Sequence, residues 1–301
     1  VYSSSSQPQC RSGASALLLL MALTFGGVCR GLRLTWSLQR GHSFRRASSS
    51  GASASAAVLE QLAPSGELRA ALNMRNPLLV TGRTKDGDPD GVAPDVAREV
   101  ARRLGVKVRL LPYSTPGELA DAAAKGEWDL ALIANEPARA KVIDFTSAYC
   151  EIEATYLVPS GSALAAVGDV DRPGHRVAAV ARGAYQLWLS DNLRHAEVIT
   201  GEGHEATFDL FVERKLDALA GLRDKLTAEA KKLPGSVVLD GKFTSVLQSM
   251  GVGKGKAAGL DFLQDYWTCG QSDRQAWCDG QVGGPGVEMN CPSFSGGNCD
   301  L

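Results

Sequence analysis

Gly126-Glu127-Trp128-Asp129-Leu130-Ala131-Leu132 and Arg214-Lys215-Leu216-Asp217-Ala218-Leu219-Ala220 are the two stretches that decide the fold class of this chain. Each is a charged turn, one large apolar residue, an Asp, and then small apolar residues. The first continues to Ala134 as a nearly unbroken apolar run, the pattern of a strand in a parallel sheet covered on both faces. Upstream of it, Ala93–Leu104 places Val96, Val100, Ala101 and Leu104 on one helical face and stops at Gly105. Val106–Leu111 then alternates as a strand ended by Pro112, and Thr115–Lys125 reads as a second helix closed by Gly126. The alternation recurs around the second stretch, with strands at Arg176–Ala181, Glu197–Thr200 and Asp217–Leu222 and helices at Ala184–His195 and Thr207–Lys215. The expectation is an α/β protein of two similarly wired lobes, with one larger sheet as the alternative. Ala154–Val158 and Val237–Leu239 are short extended segments where the chain could cross twice between lobes, which makes a hinge. Phe243–Val252 and Leu260–Trp267 would return to complete the first lobe. The expected division is 58–156 with 240–267 for lobe 1 and 157–239 for lobe 2.

The flanks read differently. No Asp or Glu precedes Glu60, whereas Arg11, Arg30, Arg33, Arg40, Arg45 and Arg46 do. Ala14–Val28 is an apolar run of signal-peptide length, too short to span a bilayer, and the Arg- and Ser-rich stretch after it is transit-like. Residues 1–57 are therefore expected to be a targeting leader. It leads either to export, with a linker behind a bacterial signal, or to an organelle by a two-part address. Residues 268–301 form a Gly- and Cys-rich tail without helical period, in which Cys269, Cys278, Cys291 and Cys299 could make two disulfides. Cys10 and Cys29 lie in the leader and Cys150 stands alone in the body. A net charge of −1 over 301 residues gives no argument for nucleic acid, and no residue pattern calls for a metal or a cofactor.

The candidate site follows from the strand ends. Ligands in open parallel sheets sit beyond the carboxyl ends of strands, which is where Asn135, Glu136 and Arg139 lie. A guanidinium there can grip a carboxylate with two parallel hydrogen bonds, although an Arg paired to Glu136 or Asp144 is the plainer alternative. In the second lobe Arg182, Gly183, Ala184 and Tyr185 join a strand to a helix, whose first N–H groups would favour an anion. An Arg fork and an N–H cradle on opposite walls of one cleft would suit a small carboxylate.

Glu67-Leu68-Arg69-Ala70-Ala71, Gly91 through Leu104-Gly105-Val106, Trp128-Asp129, and above all Ala138-Arg139-Ala140-Lys141-Val142-Ile143-Asp144-Phe145-Thr146 with Tyr149 resemble the family 3 extracellular solute-binding proteins, the amino-acid-binding components of ABC importers. The resemblance covers roughly Gly66 to Trp267. It implies a two-lobed periplasmic-binding-protein fold of type II, a monomer, an ABC-type permease as partner, a periplasmic or extracellular location, and Arg139 on the ligand carboxylate with help from the Ala184 and Tyr185 amides. Members usually have an aromatic pair where this chain has Pro77-Leu78-Leu79. The acid that usually holds the ligand's ammonium falls near Gly221 or Leu222 here, so Glu136, Asn73 and Asn76 become the candidate substitutes. Family members also continue with more helix where the tail begins. Binding is the expected activity, of an amino acid or a related organic acid. Some relatives of this fold are dehydratases, which keeps a lyase using Glu136 as general acid as the alternative, and an orphan ligand sensor as a further one.

Overall fold

A computed structural model describes residues 54–269 and 287–288. Of the leader expected over residues 1–57, residues 1–53 lie outside the described residues, as does the disulfide pairing of the tail, whereas Ser55 to Ala57 already belong to the first helix and its cap. Ser55 caps the first helix, α1 (Ala56–Leu62), through its hydroxyl, which accepts the Val58 N–H. Strand β1 (Glu67–Asn73) and a small hairpin, β2 (Gly82–Arg83) with β3 (Pro89–Asp90), lead into α2 (Val92–Leu104). Val96, Ala97, Val100, Ala101 and Leu104 of α2 are buried, and Gly105 at φ 72° returns its N–H to the last turn. Strand β4 (Lys107–Tyr113) follows and runs through Pro112 rather than stopping before it. It is an edge strand, where a missing N–H is tolerated. Helix α3 (Pro116–Asp121) opens on the Thr115 hydroxyl, tightens into a 3-10 turn (Ala122–Lys125) and ends at Gly126, leading to β5 (Leu130–Ala134). A second 3-10 turn (Arg139–Lys141) precedes β6 (Ile143–Val158).

The second half comprises β7 (Arg176–Val180), α4 (Ala184–Asn192), β8 (Glu197–Gly201), α5 (His204–Glu213), β9 (Ala218–Leu222), α6 (Arg223–Ala230) and β10 (Val237–Val238). The chain returns through β11 (Thr244–Gly253) and α7 (Ala257–Cys269), and β12 (Val287–Glu288) adds to β6.

The strands follow the order β4-β1-β5-β11-β6-β9-β7-β8. Pairing is parallel among β4, β1 and β5 and among β9, β7 and β8, while β6 is antiparallel to both of its long neighbours. Strand β6 pairs with β11 up to Ala154 and with β9 from Ala154 to Leu157. The ladder is thus continuous through one shared strand, while the helices divide: α2 and α3 cover β1, β4 and β5, and α5 covers β7, β8 and β9. The result is a two-lobed, parallel-rich α/β fold. Side chains alternate accordingly. Leu68, Ala70, Leu72, Leu130 and Leu132 share one face with Val177, Ala179, Ala218 and Ala220. The opposite face holds Trp128, Ala131 and Ile133 in the first half and Ala178, Phe211 and Leu219 in the second.

The repeated Asp has the same task in each half. Asp129 donates its N–H to the Arg69 carbonyl and accepts the Arg69 N–H on its carboxylate, at 2.9 and 3.1 Å. Asp217 does likewise with Arg176, at 3.0 and 2.7 Å. Each Asp therefore locks the start of one parallel strand to the start of the next. The large residue before it, Trp128 or Leu216, is buried beside the strand.

The two crossings run side by side. Val237 and Val238 pair with Val158 and Leu157, and the Leu239 and Phe243 N–H groups donate to the Tyr156 and Ala154 carbonyls. Arg223, at the start of α6, clamps both: it pairs with Glu153 of β6 at 2.7 Å and donates to the Leu239 and Gly241 carbonyls. Phe243 stacks on Tyr156 and on Trp188 of α4, at 4.6 and 5.3 Å between ring centres.

Candidate functional site

Strand β5 ends at Ala134, and the Asn135 N–H donates to Leu247 of β11, so the chain leaves the sheet in a fixed direction. The turn that follows brings the Arg139 guanidinium back over the strand end. Arg139 is only 4% exposed; it donates from Nη1 to the Ala134 carbonyl at 3.0 Å and from Nη2 to the Arg182 carbonyl at 3.1 Å. Burial draws its pKa down to about 10, which leaves it a cation at neutral pH. The plainer pairings do not form: Asp144 is taken by Lys254 at 2.6 Å, and among the described residues no ion pair joins Glu136 to Arg139. Glu136 is itself 7% exposed, and its pKa rises to about 7, chiefly through burial. Arg139 opposes that rise, and Asp191 of α4 adds to it.

The second half supplies the facing wall. Arg182 sits at φ 57°, a left-handed conformation uncommon for a residue with a side chain. Four hydrogen bonds hold it there. Its N–H donates to Gln186 Oε1, its carbonyl accepts from Arg139, and its guanidinium reaches Asp121 at 2.8 Å and the Gly117 carbonyl at 3.3 Å. A Cβ on Gly117 would meet that guanidinium at 2.5 Å, so the close approach relies on glycine. Gly183 is the N-cap of α4, and the first bond along the helix runs from the Leu187 N–H to the Gly183 carbonyl. The Ala184 and Tyr185 N–H groups thus precede the helical ladder. A further contact between the halves joins His204 Nε2 to the Arg75 carbonyl at 3.3 Å, with the Arg75 guanidinium lying against Gly203.

The structure therefore brings Arg139, through its bond to the Arg182 carbonyl, against the β7–α4 turn that carries Gly183, Ala184 and Tyr185. Asn73 and Asn76 serve their own loop: the Oδ1 atoms accept the Arg75 and Leu78 N–H groups. At Gly221 and Leu222, near which the resemblance had set the ammonium-binding acid, Leu222 packs in the core, and a Cβ on Gly221 would meet the Leu226 side chain at 2.9 Å. The cross-lobe roles of Arg182, Asp121, Arg75 and His204 were not read from sequence. The one available signal was Arg182 in the same strand-to-helix turn as Gly183. Among the described residues no group of three or more His, Cys, Asp or Glu is placed to hold a metal.

The model of the bacterial extracellular solute-binding proteins, family 3, matches residues 68–265. No curated protein matches the sequence. Among solved structures, the chain is similar to an ancestral amino acid-binding protein described as a precursor of cyclohexadienyl dehydratase (23% identity, 69% of this chain and 90% of that one, TM-score 0.56). It is similar also to an amino acid ABC transporter substrate-binding protein of Streptococcus pneumoniae bound to L-arginine (20% identity, 71% and 94%, TM-score 0.54). A binding component of an ABC transporter from Wolinella succinogenes, complexed with lysine, matches at 22% identity over 67% and 88%, with a TM-score of 0.56. At these identities the likeness carries the fold alone.

Proposed function

The chain belongs to the bacterial extracellular solute-binding proteins, family 3, and from that premise we propose that it captures a small carboxylate-bearing metabolite, an amino acid or a related organic acid, between its two lobes. Lobe 1 comprises 58–156 and 240–267, and lobe 2 comprises 157–239. Arg139 takes the carboxylate, the Ala184 and Tyr185 amides assist from the other wall, and Asn135 and Glu136 line the same strand end. The ligand is passed to an ABC-type permease outside the cytoplasm by a monomeric binding protein, without turnover. Among the described residues no helix is long and apolar enough to cross a membrane.

The observation that supports this reading is Arg139 itself. A cation 4% exposed, held by two backbone carbonyls and no carboxylate, carries a large desolvation cost that an anionic ligand would offset. Thermal-shift and calorimetric screening of amino acids and organic acids, with Arg139→Ala as control, tests it. Binding that weakens by a factor of about 10² or more in the variant is expected, since a buried charge-assisted pair contributes about 3 kcal/mol. Equal affinity for the parent and the variant would remove Arg139 from the site. The pKa of Glu136, about 7, also suits a general acid. Product formation from prephenate-like or arogenate-like acids, lost on Glu136→Gln, would turn the assignment to a lyase.

A further inference from the structure

A hollow of about 450 Å³ lies within the second half, at the amino ends of β7 and β9 rather than at their carboxyl ends. Its volume falls in the range of small-molecule sites. Phe211, Leu216, Leu164 and Leu233 give it an apolar lining, the first three at most 9% exposed, and Val212 stands exposed at its rim. The loop that leaves β6, residues 159–164, forms one wall and is fixed in place: the Leu164 N–H donates to Ser162 Oγ, and a Cβ on Gly235 would meet Ser160 Oγ at 2.6 Å. Lys215 also lines the hollow, at φ 48°. The turn before β5 ends on Gly126 at φ 63°, the residue type that this conformation favours, whereas the turn before β9 places a lysine there at a steric cost. Residues held so cluster at ligand sites. The Lys215 backbone is tied on both sides, its N–H to the Val212 carbonyl at 3.2 Å and its carbonyl to Arg176 Nη2 at 2.9 Å, while its ammonium has no partner among the described residues. His175 Nδ1 lies 3.1 Å from the Val170 carbonyl and so carries its proton toward it, which leaves Nε2 free to take a second proton beside an anion. Asp217, the acid in the lining, is already engaged by the Arg176 N–H at 2.7 Å and by Arg176 Nε at 3.9 Å.

We propose that this hollow is a second ligand site, apart from the cleft between the lobes, for a small amphipathic acid. An apolar body of ring or branched-chain size lies against Phe211 and Leu216, and its carboxylate meets Lys215 at the rim with His175 beside it. The inference does not rest on the Arg139 reading, because the two sites share no residue. Pro159 and Leu233 place the hollow next to Val158 and Val237, which pair where the chain crosses between the halves. An occupant therefore braces the second half at the point where the chain enters and leaves it.

The test is equilibrium dialysis of the full chain carrying Arg139→Ala, which removes the guanidinium from the cleft, with 3-phenylpropionate as the probe and its uncharged amide as the control. The acid is expected to bind one to one and about tenfold more tightly than the amide, as a charge-assisted hydrogen bond provides. Adding Lys215→Gly, a residue suited to φ 48°, should weaken the acid about tenfold and leave the amide unchanged. Adding Val212→Glu, at an exposed rim position, should abolish binding of the acid, and thermal melts that match the Arg139→Ala chain show that both variants fold. No binding of the acid to the Arg139→Ala chain, or an affinity that neither further substitution alters, overturns the second site. Acid and amide bound alike, with Lys215→Gly indifferent, overturns its assignment to an anion.

Discussion

Replacing Glu136 by Gln changes how stability depends on pH, and the sign follows from the geometry. In the folded chain burial raises the Glu136 pKa from 4.5 to about 7, against the pull of Arg139. A carboxyl whose folded pKa exceeds its unfolded one supports the fold while protonated. Below about pH 4.5 that support is complete; as pH rises toward 7 the unfolded chain sheds its proton first, and the support is lost. At about 1.4 kcal/mol for each tenfold change in proton affinity, the rise from 4.5 to about 7 sets a ceiling near 3 kcal/mol. Solvent that still reaches the carboxyl trims this to roughly 2 kcal/mol. Glutamine keeps the shape and cannot ionise. Urea denaturation of the ligand-free protein at constant ionic strength, stepped from pH 4.5 to 8, should therefore show the variant gaining about 2 kcal/mol on the parent across the series. His204, which burial holds below its ordinary pKa, titrates in both proteins and cancels in the difference. A flat difference, or one that favours the parent as pH rises, would mean that Glu136 is not a desolvated acid.

The two Asp locks should differ in strength despite their shared geometry. Asp129 is fully buried and receives a two-pronged grip from Arg69, so Asp129→Ala should cost about 3 kcal/mol in a urea melt. Asp217 is 37% exposed with the Arg176 Nε at 3.9 Å, so Asp217→Ala should cost only about 1 kcal/mol. Arg223→Ala severs the clamp on both crossings. It should cost about 2 kcal/mol and speed amide exchange at Leu239 and Phe243, whereas unchanged protection there would show that the clamp carries no load.

What could be read in advance is what local pattern encodes. The Asp-bearing turns, the amphipathic face of α2 and the glycine after it depend on neighbours in sequence, and they led directly to the paired βα units and to Arg139 at a strand end. Elements defined by distant partners were silent. Glu67–Asn73 carries Glu, Leu and Ala, residues that favour helix, and becomes a strand because β4 and β5 flank it on both sides. Helix α6, mostly polar and charged, shows little apolar period in its sequence, although its first residue fastens the crossings. Pro112 suggested a stop, but whether a proline ends a strand depends on whether that strand lies at the edge. Within the site, Arg139 and Gly183 were legible as strand-end and helix-start residues. The reach of Arg182 to Asp121 spans 61 positions of chain and left no trace in local spacing.

Strand β6 runs for 16 residues and pairs with strands of both halves, a spar of about 50 Å at roughly 3.3 Å per residue, with two shifts of register against β11. Its two ends belong to different sets of neighbours, β11 on one side and β9 on the other, with the β10 crossing paired beside it. Under the proposed capture of a solute, any shift of one half against the other has to pass through this shared backbone, so a substitution along β6 bears on both halves at once.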